Sequence, residues 1–192
     1  MFKVLCTGNP EHIGIAMEIK KLFPDATFVS RTNGFDLSTD AGLAKLRTVI
    51  KEHNVIVNNA YVSEGTQARI LTTAKEEWTT GHVFNIGSID EYTKWLPANP
   101  RKYKESNELK ELGLSYTDEN FKVTHLTVGG FKSSAKPLGL KTTMDPVHIA
   151  TAIKWIMEAP FQVPVIGVEQ MTDTIRNWYD LKRQGLESQF TG

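Results

Sequence analysis

Six short apolar runs recur along the chain with helical patterns between them, and this alternation limits the fold more than any other feature. The runs are "FKVLCT" (2–7), "ATFVS" (26–30), "NVIVNNA" (54–60), "HVFNIGS" (82–88), "KVTHLTV" (122–128) and "VPVIGV" (163–168). Apolar residues dominate them without strict alternation, the pattern of strands buried on both faces. Amphipathic segments lie between them at roughly 13–23, 39–52, 64–78, 101–112 and 146–159. Ile175, Trp178 and Leu181 mark a last helix over about 172–184, with Thr172 as its candidate cap. Buried strands separated by helices imply a parallel sheet covered on both faces.

The remaining totals narrow the function class. A chain of 192 residues without an internal repeat, linker or low-complexity tract is expected to form one domain over 1–192. Basic and acidic residues balance at 22 each, so neither a nucleic-acid binder nor a polybasic membrane contact is indicated. No apolar run approaches the length of a membrane span, and the opening "MFKVLCTG" has no signal-peptide pattern. With a single cysteine, Cys6, an internal disulfide is excluded and a reducing, cytoplasmic setting is expected. The five histidines are dispersed without ligand spacing, so no metal site is expected. No Walker lysine loop and no Gly-x-Ser-x-Gly elbow occurs. "EE" at 76–77 reads as a solvated helix face, and Trp155 with Ile156 as packing a helix onto the sheet. "PRKYK" (100–104) reads as a surface charge run, or as an attraction for an anionic substrate. "KSSAKPLGLKTTMDP" (132–146) is either a plain surface loop or a lid.

Chemistry concentrates in a few stretches. "VLCTGNPEHIGIAMEI" joins the first strand to a helix through a glycine turn, with Gly8 and Gly14 at its ends and His12 where a middle glycine is usual. Such a turn brings backbone N–H groups and a helix N-terminus to a pyrophosphate, or it is a tight turn whose glycines serve the backbone alone. "NVIVNNAY" and "VFNIGS" close apolar strands with small polar residues at the carboxyl edge, where open parallel sheets bind ligands. The ordered series Thr7-Gly8, Ile13-Gly14, Asn58-Asn59-Ala60, Ile86-Gly87-Ser88, Tyr103-x-x-Ser106 and Gly130-Phe131 with Ser134 resembles the short-chain dehydrogenase/reductase family. It spans residues 2–168, nearly the whole chain.

The resemblance implies a Rossmann-like doubly wound parallel sheet and assigns roles residue by residue. Gly8 and Gly14 would line the dinucleotide pyrophosphate, and Asn9 and Ile13 between them would also be cofactor-binding. Asp36 would sit by the adenine, or else serve as a turn or capping residue before the helix at 39. Asn59 and Ala60 would flank the cofactor ribose. Ser88 would hydrogen-bond the substrate carbonyl, and Tyr103 would pass the proton. Gly130, Phe131 and Ser134 match the family's turn beside the nicotinamide, with Gly129 in place of its proline. The family's lysine slot holds Asn107.

Spacing departs from the family as well. Twenty-eight positions from Gly8 to Asp36 leave no room for a separate third strand and its helix, so a sheet of about six strands is expected. Only thirty positions separate Asn58 from Ser88, so the fourth helix and its customary asparagine are expected to be truncated or missing. The family's "NNAG" ends here in Tyr61. For the dinucleotide, Arg31 at the close of the second strand favours NADP, with NAD possible, and Glu11 in the glycine loop is the counter-signal.

The implied activity is hydride transfer between nicotinamide and a small carbonyl or alcohol substrate. The alternative is a dinucleotide-binding sensor or scaffold whose catalysis has decayed. A free tyrosine has a pKa of about 10, and Asn107 brings no charge to lower it, so a bias toward reduction is expected. Lys104 is expected to point elsewhere, and Lys110 lies about 10 Å further along the helix axis than Tyr103, so neither is expected to replace the lysine. The resemblance also implies a homo-oligomer paired through the 101–112 and 172–184 helices.

Overall fold

A computed structural model of the chain describes residues 2–88, 100–129 and 144–168, and of residues 100–103 the backbone alone. Its strands are β1 (Val4–Thr7), β2 (Thr27–Val29), β3 (Val55–Asn58), β4 (Gly81–Ile86), β5 (Phe121–Val128) and β6 (Val165–Val168). They pair in parallel in the order β2-β1-β3-β4-β5-β6. The helices are α1 (Ile15–Leu22), α2 (Asp40–Ile50), α3 (Thr66–Glu77), α4 (Pro100–Tyr116) and α5 (Val147–Glu158), with a 3-10 turn at Arg31–Asn33. The fold is α/β with a parallel sheet, as the alternation implied, and Rossmann-like, as the resemblance implied. The six expected strands are all present, with ends shifted by one or two residues. Between β3 and β4 stands the single helix α3, in keeping with the short Asn58 to Ser88 spacing.

Alternate residues of each strand point to opposite faces, and each face has its own core. Val4, Cys6, Val57, Phe84, Leu126 and their neighbours meet α1 and α5. Ile149, Ala150, Ile153, Ile156 and Met157 line one side of α5 at helical spacing and are buried there. Trp155 lies off that stripe and is 51% exposed, its ring edge-on to Phe161 at 5.8 Å. The expectation that it packs onto the sheet is therefore corrected, while Ile156 does pack.

On the opposite face Leu5, Ile56, Val83, Phe121 and Val123 meet α2, α3 and α4. Arg47 of α2 binds Glu76 and Glu77 of α3, so that acidic pair ties two helices together instead of forming a purely solvated face. Thr39 caps α2 by accepting the Gly42 N–H at 3.0 Å, which satisfies one of the helix's otherwise unpaired donors.

Near its carboxyl edge this second face carries buried polar residues. Asn58 and Asn85 stand in register on β3 and β4, and His125 continues the row on β5. Asn58 Nδ2 donates to Asn85 Oδ1 at 2.9 Å and to the Gln67 carbonyl at 2.8 Å. Gln67 of α3 answers by donating to the carbonyls of Asn58 and Ile86, which clips the ends of β3 and β4 together. The row sits directly beneath the loops that carry the candidate site.

Candidate active site

The loops after β1, β3 and β4 converge at the carboxyl edge of the sheet. After β1 the chain turns at Gly8, with φ of 136°, and enters α1 at Gly14, with φ of 152°. Both values lie where side chains are rarely tolerated. A Cβ on Gly8 would come within 2.8 Å of Asn59 Nδ2, whereas one on Gly14 would meet none of the described residues within 4 Å. Gly8 thus lets the β3 loop close against the turn, and among the described residues none crowds a side chain at Gly14. Among the described residues no side chain caps α1, and the N–H groups of a first helical turn have no partner within their own helix. This arrangement fits a pyrophosphate, which needs backbone donors and no intervening Cβ. Asn9 Oδ1 accepts the Glu11 N–H at 2.9 Å and holds the turn; Ile13 is half exposed.

Thr7 is fully buried and organises the next loop. Its hydroxyl accepts the N–H groups of Asn59 and Ala60, both at 2.9 Å, and has the Val57 carbonyl at 3.4 Å. Asn59 Nδ2 donates to the Thr7 carbonyl at 3.1 Å, so its side chain is held against the glycine turn. Beside it, the Gly8 N–H donates to the Val29 carbonyl at 2.9 Å, which joins the turn to the end of β2. Arg31 stands exposed two residues beyond that carbonyl, with no ion pair or side-chain hydrogen bond of its own among the described residues.

Asp36 accepts from the Ser38 hydroxyl at 2.6 Å and the Ser38 N–H at 3.2 Å. These bonds hold its carboxyl below the ordinary range, with a smaller contribution from the field of Arg31. Its carboxylate is engaged in the turn before α2. Glu11 pairs with Lys20 at 2.7 Å, and that bond lowers its pKa. The acidic residue of the glycine loop therefore comes with a cation beside it.

Helix α4 supplies the other side of the site. Ser106 is buried, and its Oγ accepts the Ser88 N–H at 3.1 Å, placing the loop after β4 against the helix. Glu105 accepts the Gly65 N–H at 2.5 Å and the Tyr61 hydroxyl at 2.8 Å. Tyr61, in the place of a glycine, is thus tethered to α4, and a carboxylate sits at the N-terminus of α3, where the helix dipole favours it. Lys104 lies outward against Glu108 at 3.6 Å, as expected. Lys110 behaves differently. Its side chain folds back, and Nζ donates to Asn107 Oδ1 at 2.8 Å.

Gly8, Asn9, Gly14, Asn59, Ala60, Ser88 and Asn107 all lie on segments of this edge. Tyr103 belongs to the first turn of α4, and its side chain lies outside the described residues, as do Gly130, Phe131, Ser134 and the helix expected over 172–184. Sequence reasoning missed the anchoring parts of Thr7, Gln67, Glu105 and Lys110. The polar endings of "VLCT" and "VIVN" were a signal for the first; the others left none.

No family model matches the sequence, and no curated protein matches it. Solved structures do. A short-chain dehydrogenase from Burkholderia cenocepacia in complex with NADP superposes with a TM-score of 0.71 at 11% identity, covering 100% of this chain and 98% of that one. The fold is that of the short-chain dehydrogenases. A short-chain dehydrogenase from Sphingobium yanoikuyae in complex with NADPH gives 0.68 at 16% identity, covering 98% and 96% of the two chains. A bulky-bulky ketone specific alcohol dehydrogenase from Comamonas testosteroni gives 0.68 at 15% identity, covering 98% and 94%. The short-chain dehydrogenase fold thus extends over essentially the whole chain, at identities that reflect wide divergence.

Proposed function

We propose that the protein is a divergent short-chain dehydrogenase/reductase, an NADP-dependent oxidoreductase acting on a small carbonyl or alcohol substrate. The observation that carries this reading is the hydrogen bond from Ser88 to Ser106, which joins the loop after β4 to the Tyr-x-x-Ser helix. The open glycine turn lies at the same edge of the sheet. Gly8, Gly14 and the first turn of α1 would hold the pyrophosphate, with Asn9 and Ile13 at its flank and Asn59 and Ala60 toward the ribose. The bound nicotinamide would supply or accept the hydride.

The chain's own residues would do the rest. Ser88 orients the carbonyl by donating a hydrogen bond to its oxygen. Tyr103 gives that oxygen its proton in reduction and takes it back in oxidation. Asn107 donates to the ribose without adding charge of its own, so Tyr103 holds its proton at neutral pH and reduction is the faster direction. Arg31 at the end of β2 suits a 2′-phosphate, and the pairing of Glu11 with Lys20 reduces the repulsion that phosphate would meet. The neighbours crystallised with NADP and NADPH support this choice.

The experiment is calorimetric titration of the full chain with NADPH and NADH, alongside turnover of a panel of small ketones and aldehydes. NADPH is expected to bind more tightly, and Arg31→Asp to weaken it about tenfold or more, the scale of one charge-assisted hydrogen bond. Tyr103→Phe is expected to abolish turnover while sparing binding. Binding of neither dinucleotide overturns the reading; binding without turnover of any carbonyl favours the decayed sensor or scaffold.

A further inference from the structure

The lysine of the Tyr-x-x-Ser-Lys pattern is absent at 107, yet an ammonium reaches residue 107 from one turn further along. Positions 103, 107 and 110 fall on one stripe of α4 at i, i+4 and i+7. Helical side chains lean toward the N-terminus of their helix, which carries the head of Lys110 back to the Asn107 carboxamide. There Nζ donates to Oδ1 at 2.8 Å, and both side chains are half-buried.

We propose that Lys110 is a positioning residue for the dinucleotide, fixing the Asn107 amide so that its N–H end addresses the ribose. The proposal rests on the reading of this stripe as cofactor-facing. A carboxamide has an acceptor end and a donor end of nearly equal size, and a half turn of the side chain exchanges them. A ribose hydroxyl accepts hydrogen bonds as readily as it donates them, so it does not select an end by itself. An ammonium has three donors and no acceptor, so it engages the oxygen end alone. With Oδ1 held by Lys110, the amide nitrogen is the end turned away from the cation. The bond is charge-assisted and stronger than a neutral one. It also draws electron density from the amide, which makes the N–H groups better donors. Asn107 and Lys110 together would then supply an oriented ribose donor, divided between two side chains.

An incidental contact between neighbours on a helix surface has little energetic effect, and the two cases separate by experiment. NADPH affinity and steady-state constants are measured for the full chain and for Lys110→Met, Lys110→Arg, Asn107→Lys and the Asn107→Lys/Lys110→Met double variant. Melting curves confirm that each is folded. Lys110→Met is expected to weaken NADPH binding and raise its KM about tenfold, with kcat changing less, and Lys110→Arg to restore most of the loss. In the Asn107→Lys background, where no amide remains to be oriented, Lys110→Met is expected to change nothing. Equal affinity of Lys110→Met and the parent chain overturns the proposal. So does an equal loss in both backgrounds, which marks a general pull on an anionic ligand. If the parent chain binds neither NADPH nor NADH, the cofactor reading itself fails, and the inference falls with it.

Discussion

Thr7 shows how much of the site depends on single side chains that never reach a ligand. Its hydroxyl accepts two backbone N–H groups and faces a carbonyl, which uses its whole hydrogen-bonding capacity. Thr7→Val keeps the shape and removes the acceptor, leaving the Ala60 donor without its partner and the Asn59 donor with the Val57 carbonyl alone, at 3.1 Å, in a partly buried loop. The expected loss is about 1–3 kcal/mol of stability, read as a melting temperature lower by several degrees. An unchanged melting temperature means that water replaces the hydroxyl and the loop is not held by Thr7. At this scale the sequence was a partial guide. Glycines that admit a backbone approach at Gly8 and Gly14 were legible because few other residues tolerate such φ values. The bond from Lys110 to Asn107 was not legible, because the rise per residue describes the backbone and ignores a long side chain leaning down its own helix.

Elements were more legible than the bonds between them. Apolar strands and amphipathic helices leave periodic traces, and β1 to β6 with α1, α2, α3 and α5 emerged within two residues of their expected limits, whereas α4 runs on to Tyr116, four residues past its expected end. Trp155 was misplaced because the buried stripe of α5 follows Ile149, Ile153 and Ile156, and position 155 lies outside it. The ties of Glu105 to Tyr61 and Gly65 span 44 and 40 residues and depend on no repeat. Close packing of α4 on the sheet is likewise a matter of one position. A Cβ on Gly113 would lie 2.8 Å from Val123 Cγ1 and 3.4 Å from Asn85 Nδ2. Gly113→Ala improves helix propensity by about 1 kcal/mol, while overfilling a packed interface costs about 1–3 kcal/mol. The clash is expected to win, with net destabilisation in urea. A more stable variant shows that α4 can shift off β5 at little cost.

For the molecule as a whole, His82 sets a pH dependence of folding. Burial, and then the field of Lys122, lower its pKa to about 4. Its ring stacks on Phe84 with centroids 4.0 Å apart. The Thr124 hydroxyl donates to the Val163 carbonyl at 2.6 Å, so it accepts from His82 Nε2 at 2.9 Å and the ring carries its proton there. The unfolded chain takes up a second proton near pH 6.5, and the native chain resists it until about pH 4. Stability contributed by the neutral ring is therefore complete above about pH 6.5 and is lost as pH falls toward 4, roughly 2 kcal/mol of it by pH 5. Denaturant unfolding at pH 7.5 and pH 5 should show this loss, and His82→Gln should show less of it. Equal losses in the two proteins would place the dependence on other groups. Asp118 acts at the acid end. Its bond to Lys75 and the N–H groups of Phe121 and Asn120 bring it to about 2, so its contribution is complete above about pH 4 and is lost as pH falls toward 2.

The adjacent residues Glu105 and Ser106 hold two loops that arise from different strands, at Gly65 and at Ser88. Neither loop can be released on its own by a movement of the helix. Any tilt that frees one amide from its anchor frees the other, so solvent deuterium should reach both through one shared opening of the native state. The same coupling restricts divergence: a pocket framed by these loops is retuned by replacing residues at their tips, because altering the helical turn beneath them disturbs both walls at once.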